Sequence, residues 1–204
     1  MKLNKASFKK RLLAYLIDIV LVVTIVMLLE MLLPKNNNIE VLNKELNNTM
    51  ESFSNEQINF SVFFNQATLI YRDLDKERVM YSVLNAIMIF IYFIFAPYFF
   101  DGKTIGKKLM KIKTIRNDKE CLSLKNLVIK NMIDTGLMYM LFSLALIYIL
   151  PGTSYFIFTL FLSVLQIGLI IVSIFMIIKR KDKRGLNDIL SGTKVVEDSI
   201  EVEE

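Results

Sequence analysis

The sequence predicts an all-α polytopic membrane protein with four transmembrane helices, both termini in the cytoplasm and a small cytoplasmic β-hairpin. Three observations predict it. Four apolar runs (12–33, 79–100, 132–150 and 155–178) are long enough to cross a bilayer; Lys and Arg are confined to the segments between and beyond them; and short runs flank the turn-forming pair Asn117-Asp118 in the central basic segment. With 54% hydrophobic residues and a mean hydropathy of +0.46, the 204 residues are too apolar for an ordinary soluble domain and amount to one membrane domain, 1–204.

The first run is about 22 residues, or roughly 33 Å of helix, and stands on the basic foot Lys9-Lys10-Arg11. It is too long for a cleaved signal and is followed by no small-x-small site, so it is expected to stay as the first anchor. Asp18 lies about two turns inside it. An ionised Asp at a helix centre costs about 2.5–3.5 kcal/mol on an insertion scale, so Asp18 needs a partner or a proton. Arg11 leans toward the headgroups, about 10 Å away, so the partner is expected on another helix.

Segment 34–78 carries Ile39, Leu42, Leu46, Met50 and Phe53 at helical spacing. It reads either as an amphipathic helix on the outer leaflet or over the bundle, or as a polar loop of weak helical tendency. The third run only just spans, and 151–154, a Pro-Gly-Thr-Ser turn, joins it to the fourth as an antiparallel hairpin. Of the 25 Lys and Arg, 20 lie before the first run, in 101–131 or after 178, which puts those segments in the cytoplasm, 34–78 outside, and the protein in a cell membrane.

Several function classes are excluded or disfavoured. No histidine and a single cysteine, Cys121, leave no Cys/His metal cluster, intrachain disulfide or histidine catalysis, and no nucleophile–base pair stands out; no enzyme activity and no cofactor are expected. The net charge of +5 follows membrane topology, so the expected partner is an anionic headgroup surface and not nucleic acid. Asp101-Gly102-Lys103-Thr104-Ile105-Gly106-Lys107-Lys108 resembles a phosphate loop in part, but the first glycine of that pattern would fall on Pro97. Gly102 and Gly106 are expected to turn the chain while the lysines meet headgroups. Ser123 is the expected N-cap of a helix running through Lys125 and Lys130 into the third span. Arg184 and Asp188, four apart, suit a short interfacial helix that pairs them with each other or clasps the foot of the first helix. The β-favouring run 193–196 is expected to add a strand near 112–115.

Three blocks, taken together, resemble the RDD family of membrane proteins. They are Arg11-x-x-Ala14-x-x-Ile17-Asp18; Gly102-x-Thr104-x-Gly106-Lys107 with Ile112-x-Thr114-Ile115; and Arg184-Gly185-x-x-Asp188-x-x-Ser191-Gly192-Thr193-x-Val195-Val196. The chain departs from the pattern at Asn187, where members often carry His, and at Lys130-Asn131, where an Arg is usual. The resemblance implies that Arg11 and Asp18 are two signature residues and Asp188 the third, with Asp101 the other candidate. It also implies an association with exchange of sodium or other monovalent cations for protons, which is described for some members.

Depth along the spans sets Asp18 level with Met138 to Tyr139 and with Val172 to Ser173, and Asp134 one turn shallower. Asp18, Asp134 and Asp188 are thus expected to gather at the inner face. The cluster either holds a cation or proton, or is a structural lock in which Lys130, Arg184 or Tyr139 satisfies Asp18. Gln166, Gly168 and Asn85 are expected to serve helix packing, and Glu30 to reach water. The expected function is monovalent cation transport or exchange through the Arg11, Asp18, Asp134, Arg184 and Asp188 cluster. The alternative is a non-catalytic membrane scaffold or accessory subunit. Four spans line a pore thinly, so transport implies a homodimer or a partner protein.

Overall fold

In the computed structural model, which describes residues 4–118 and 121–198, α1 (Phe8–Glu30) begins where the Ser7 hydroxyl accepts from the Lys10 backbone N–H. It buries one stripe, Ala14, Asp18, Val22 and Val26, each four residues from the last; Leu13, Leu16, Val20 and Leu28 on its other faces are exposed. Such an apolar exterior is what lipid covers in a spanning helix.

The segment 34–78 holds two helices, α2 (Asn37–Ser54) and α3 (Phe60–Glu77), capped by the side chains of Asn36 and Asn59. Phe53 stacks on Phe63 at 4.5 Å where the pair closes. α3 was not foreseen. It crosses the end of the bundle, where Thr68 meets Thr153 at 3.1 Å and Arg72 Nε donates to the Ile147 carbonyl at 3.2 Å, satisfying an acceptor that the end of a helix leaves free.

The second span runs from α4 (Val79–Ile89) through a π-helical stretch, Phe90–Phe95, into α5 (Ala96–Phe99). Pro97 has no N–H for the carbonyl four residues back, which is that of Phe93. The Asn131 amide donates to that carbonyl instead, at 2.8 Å. The widened turn buries Tyr92, Phe93 and Ile94; Tyr92 and Phe93 join Val22 and Val26 in one core cluster, while Ile94 packs with Leu127 and Leu137 in another.

The third predicted span is not one helix. α7 (Leu124–Asp134), capped by Ser123 as expected, stops at Thr135. Gly136 takes the left-handed φ of +72°, and α8 (Leu137–Ile149) leaves at 77° to α7. α8 has 13 residues, about 20 Å, which is short of a bilayer core. Among the described residues three helices are therefore long and apolar enough to span, with the bent α7–α8 pair a fourth candidate. α9 (Gly152–Lys179) starts at Pro151, so Gly152–Ser154 form its first turn and not a free loop.

α6 (Ile105–Leu109), β1 (Ile112–Arg116), α10 (Leu186–Leu190) and β2 (Thr193–Glu197) gather with the N-terminal residues at the opposite end of the bundle from α3. β1 and β2 pair antiparallel, with Thr114 opposite Val195, which is the expected docking of the tail strand. The expected hairpin between 109–116 and 120–122 is not formed: Cys121 and Leu122 are not strand, and Glu120 lies outside the described residues. β2 takes that place beside β1, with Thr193 and Val195 buried on one face and Val196 on the other. The N-terminus extends the sheet edge, where Ala6 N donates to the Val195 carbonyl at 3.1 Å.

Candidate functional site

The site is built where α6, α7 and α10 meet the foot of α1. Thr104 caps α6, and both residues of that turn reach Asp18: the Thr104 hydroxyl donates to Oδ2 at 2.6 Å and the Gly106 N–H to Oδ1 at 2.7 Å. Tyr92, aimed by the π-helical stretch, donates to Oδ1 at 2.5 Å. Asp18 is 1% exposed and has three neutral donors from other elements, as its depth requires; Lys130, Arg184 and Tyr139 are not among them. Gly106 is required here, because a Cβ would collide with the Ala14 carbonyl, and small Ala14 lets α6 approach α1. Gly102, at φ +77°, lies against the Thr114 backbone and turns the chain into α6.

Asp188 is fully buried. It accepts from Arg11 Nη1 at 2.6 Å, Lys130 Nζ at 2.5 Å and the Gly185 N–H at 3.3 Å. Burial pushes its carboxyl up, but Lys130 and then Arg11 outweigh that and hold it down at about 2. Arg184, four residues earlier, does not pair with the Asp188 carboxylate. Its guanidinium donates to the carbonyls of Thr193 and Asp188, bracing the turn into β2. The clasp is thus between Asp188 and the foot of the first helix. Asp101 stands on the surface with its side chain 84% exposed, 3.8 Å from Lys113.

Asp134 is bound differently. Both its oxygens accept from the Asn187 amide at 2.6 Å, and its ion pair with Lys130 is long at 3.6 Å. Asn187 Oδ1 in turn accepts from Ser173 of α9 at 2.8 Å, and the Tyr15 hydroxyl donates to the Asp134 carbonyl at 2.6 Å.

Lys107 was expected to face headgroups, but its side chain turns inward and donates to the Thr114 hydroxyl at 3.1 Å. Among the described residues no carboxylate lies within ion-pair distance of it. Burial, and then repulsion from Lys130, push its ammonium down to about 8. Lys103 pairs with Asp198 at 2.5 Å, whereas Lys108 is exposed.

These groups line a cavity of 250 Å³. Arg11, Lys107 and Lys130 supply its cations, Asp18 and Asp134 its carboxylates, and Leu12, Ile170, Ile174 and Ile177 of α1 and α9 its apolar wall. Two buried polar side-chain atoms have no partner among the described residues, Arg11 Nε and Gln166 Oε1. The foreseen cluster is therefore divided: Asp18 is held by neutral donors of its own, while Asp134 and Asp188 share Lys130. Tyr92, Asn131, Lys107 and Asn187 joined it unforeseen. Of these, Lys107 lay in a family block, and Asn187 and Asn131 stood at its departures, while nothing in the sequence pointed to Tyr92.

The model of the RDD family matches residues 5–192. No curated protein and no solved structure matches the chain.

Proposed function

The chain belongs to the RDD family, and for this member we propose exchange of a monovalent cation for a proton at the charged cavity. In this reading the sheet end and both termini face the cytoplasm of a cell and α7–α8 make a broken fourth passage. A homodimer or a partner protein completes the lining. The observation that carries it is the sharing of one cavity by Lys107, a cation with no carboxylate partner among the described residues, and Asp134, a carboxylate held chiefly by a neutral amide. When Lys107 releases its proton the cavity loses one positive charge, and a cation drawn to Asp134 restores it. The cluster's net charge is then the same before and after, so the exchange costs no uncompensated charge in the membrane. Arg11 cannot deprotonate, which separates the charge that holds the structure from the charge that moves.

The oxygens of Asp134, Asn187, Tyr15 and Ser173 line the same space and are hard donors of the kind that small cations take. A route is supported by α9, which buries Thr159, Gln166 and Ser173 at intervals of seven residues along one face. Asp18, with three short neutral donors, belongs to the lock and not to the moving part.

A pH gradient in liposomes, challenged with Na⁺, K⁺ and Li⁺, tests the reading. Wild type is expected to dissipate the gradient, and Lys107→Arg and Asp134→Asn at matched reconstitution to fail. If folded, inserted wild type moves no proton with any of the three ions, exchange is wrong and the non-catalytic accessory role replaces it.

A further inference from the structure

The cavity opens between α1 and α9, and its two ends differ in chemistry. Its mouth is walled by Leu12 on one side and Ile174 on the other, exposed side chains that face the surroundings of the bundle, with half-buried Ile177 behind them. Its interior holds donors with capacity to spare: Lys107 Nζ, with three N–H groups, donates to one hydroxyl, and Arg11 Nε has no partner among the described residues. The carboxylates nearby are committed elsewhere. Asp18 takes its three neutral donors, Asp188 takes Arg11 Nη1 and Lys130, and Asp134 takes Asn187. With Arg184 behind the Asp188 clasp, four cations gather around these three carboxylates. One monoanion would bring that sum to zero.

We infer that the crevice between α1 and α9 binds the phosphodiester of an anionic membrane phospholipid, its phosphate on Lys107 and its acyl chains along Leu12 and Ile174. A phosphodiester is a monoanion with two free acceptor oxygens, which suits an ammonium and a guanidinium N–H. A basic pocket between spanning helices, open to the bilayer at headgroup depth, admits such a ligand from the side, whereas a soluble anion gains nothing from the apolar mouth.

This site goes beyond the exchange reading and makes a different demand of the same lysine: headgroup binding needs its charge, exchange needs it to lose a proton. Delipidated full-length protein in neutral detergent is titrated with phosphatidylglycerol, phosphatidylcholine or inorganic phosphate, and bound molecules are counted by native mass spectrometry. One phosphatidylglycerol per chain is expected to be retained in preference to phosphatidylcholine. Lys107→Gln is expected to weaken it by about tenfold, the worth of one charge-assisted hydrogen bond, while Lys107→Arg and the exposed Lys108→Gln keep it. Equal retention of the two lipids, or full retention by Lys107→Gln, overturns the inference; displacement by inorganic phosphate assigns the site to a soluble anion and overturns it as a lipid site. Should Lys107→Gln not fold, Ile174→Trp fills the mouth without touching a charge, and retention of the lipid by that variant is equally fatal. A wild type that binds the lipid but exchanges no cation removes the exchange reading alone.

Discussion

Arg11, at the start of the first helix, and Asp188, in a five-residue helix near the end of the chain, form a hydrogen-bonded ion pair of 2.6 Å across 177 positions of sequence. With Lys130 on the other oxygen, the pair ties α1, α7 and α10 at one point. A charge buried this deeply is costly once its partner is gone. Asp188→Asn leaves Arg11 without a carboxylate and Lys130 with only its long pair to Asp134, and is expected to lower stability by about 3–5 kcal/mol, read as a large fall in Tm in detergent. A Tm within a degree or two of wild type would mean that the clasp holds nothing.

Asp18→Asn replaces an acceptor by an amide in front of three donors, one of which then faces another N–H. The expected loss is about 1–3 kcal/mol, seen as a lower yield of monodisperse protein by size-exclusion chromatography. Gly106→Ala, driven into the Ala14 carbonyl, is expected to be worse. If Asp18→Asn instead folds at full yield and loses only cation coupling, Asp18 belongs with the moving charges after all.

Asn131→Leu removes the side-chain donor to the Phe93 carbonyl and is expected to cost about 1–3 kcal/mol. Pro97→Ala supplies the missing N–H from within the helix. In a double-mutant cycle the second change should therefore recover part of the loss. Strict additivity would show that the Asn131 amide and the proline are unrelated.

Two groups make stability rise with pH, in separate windows. The Asp188 carboxyl is held at about 2, below its unfolded value of 3.8, so its contribution is complete above about pH 4 and is lost as pH falls toward 2. Lys107 lies at about 8, below its unfolded 10.5, so the unfolded chain holds more protons between those values and stability rises with pH there. The groups that face it are Lys130, which lowers it, and Asp18, Asp134 and Asp188, which raise it. Unfolding of wild type and Lys107→Met from pH 7 to 10.5 is expected to converge as pH rises, and parallel curves would refute a depressed Lys107.

The spans were legible because burial in lipid selects for length and hydropathy, and these are visible residue by residue. Asp18 was legible as a residue in need of a partner, since a charge at that depth is an exception to the same rule. So was the tail strand 193–196, from its β-branched content. The break at Gly136 was not: it depends on one dihedral angle, and hydropathy averaged over a run does not register a backbone turn. α3 was hidden because its buried residues, Thr68, Ile70 and Leu74, include a polar one and lie among charged residues. Lys107 was misread because a lysine in a basic loop ordinarily points outward. Only the close packing of α6 on α1, made possible by Ala14 and Gly106, turns it in.

The three donors that satisfy Asp18 also set an order of assembly. Tyr92 follows it by 74 positions and Gly106 by 88, so when the first helix leaves the ribosome none of its partners has been made. Until residues 92–106 return to it, the aspartate must either keep a proton or wait at the surface of the bilayer. Entry of the first helix into the membrane is therefore provisional, and it is the arrival of the second that makes it permanent.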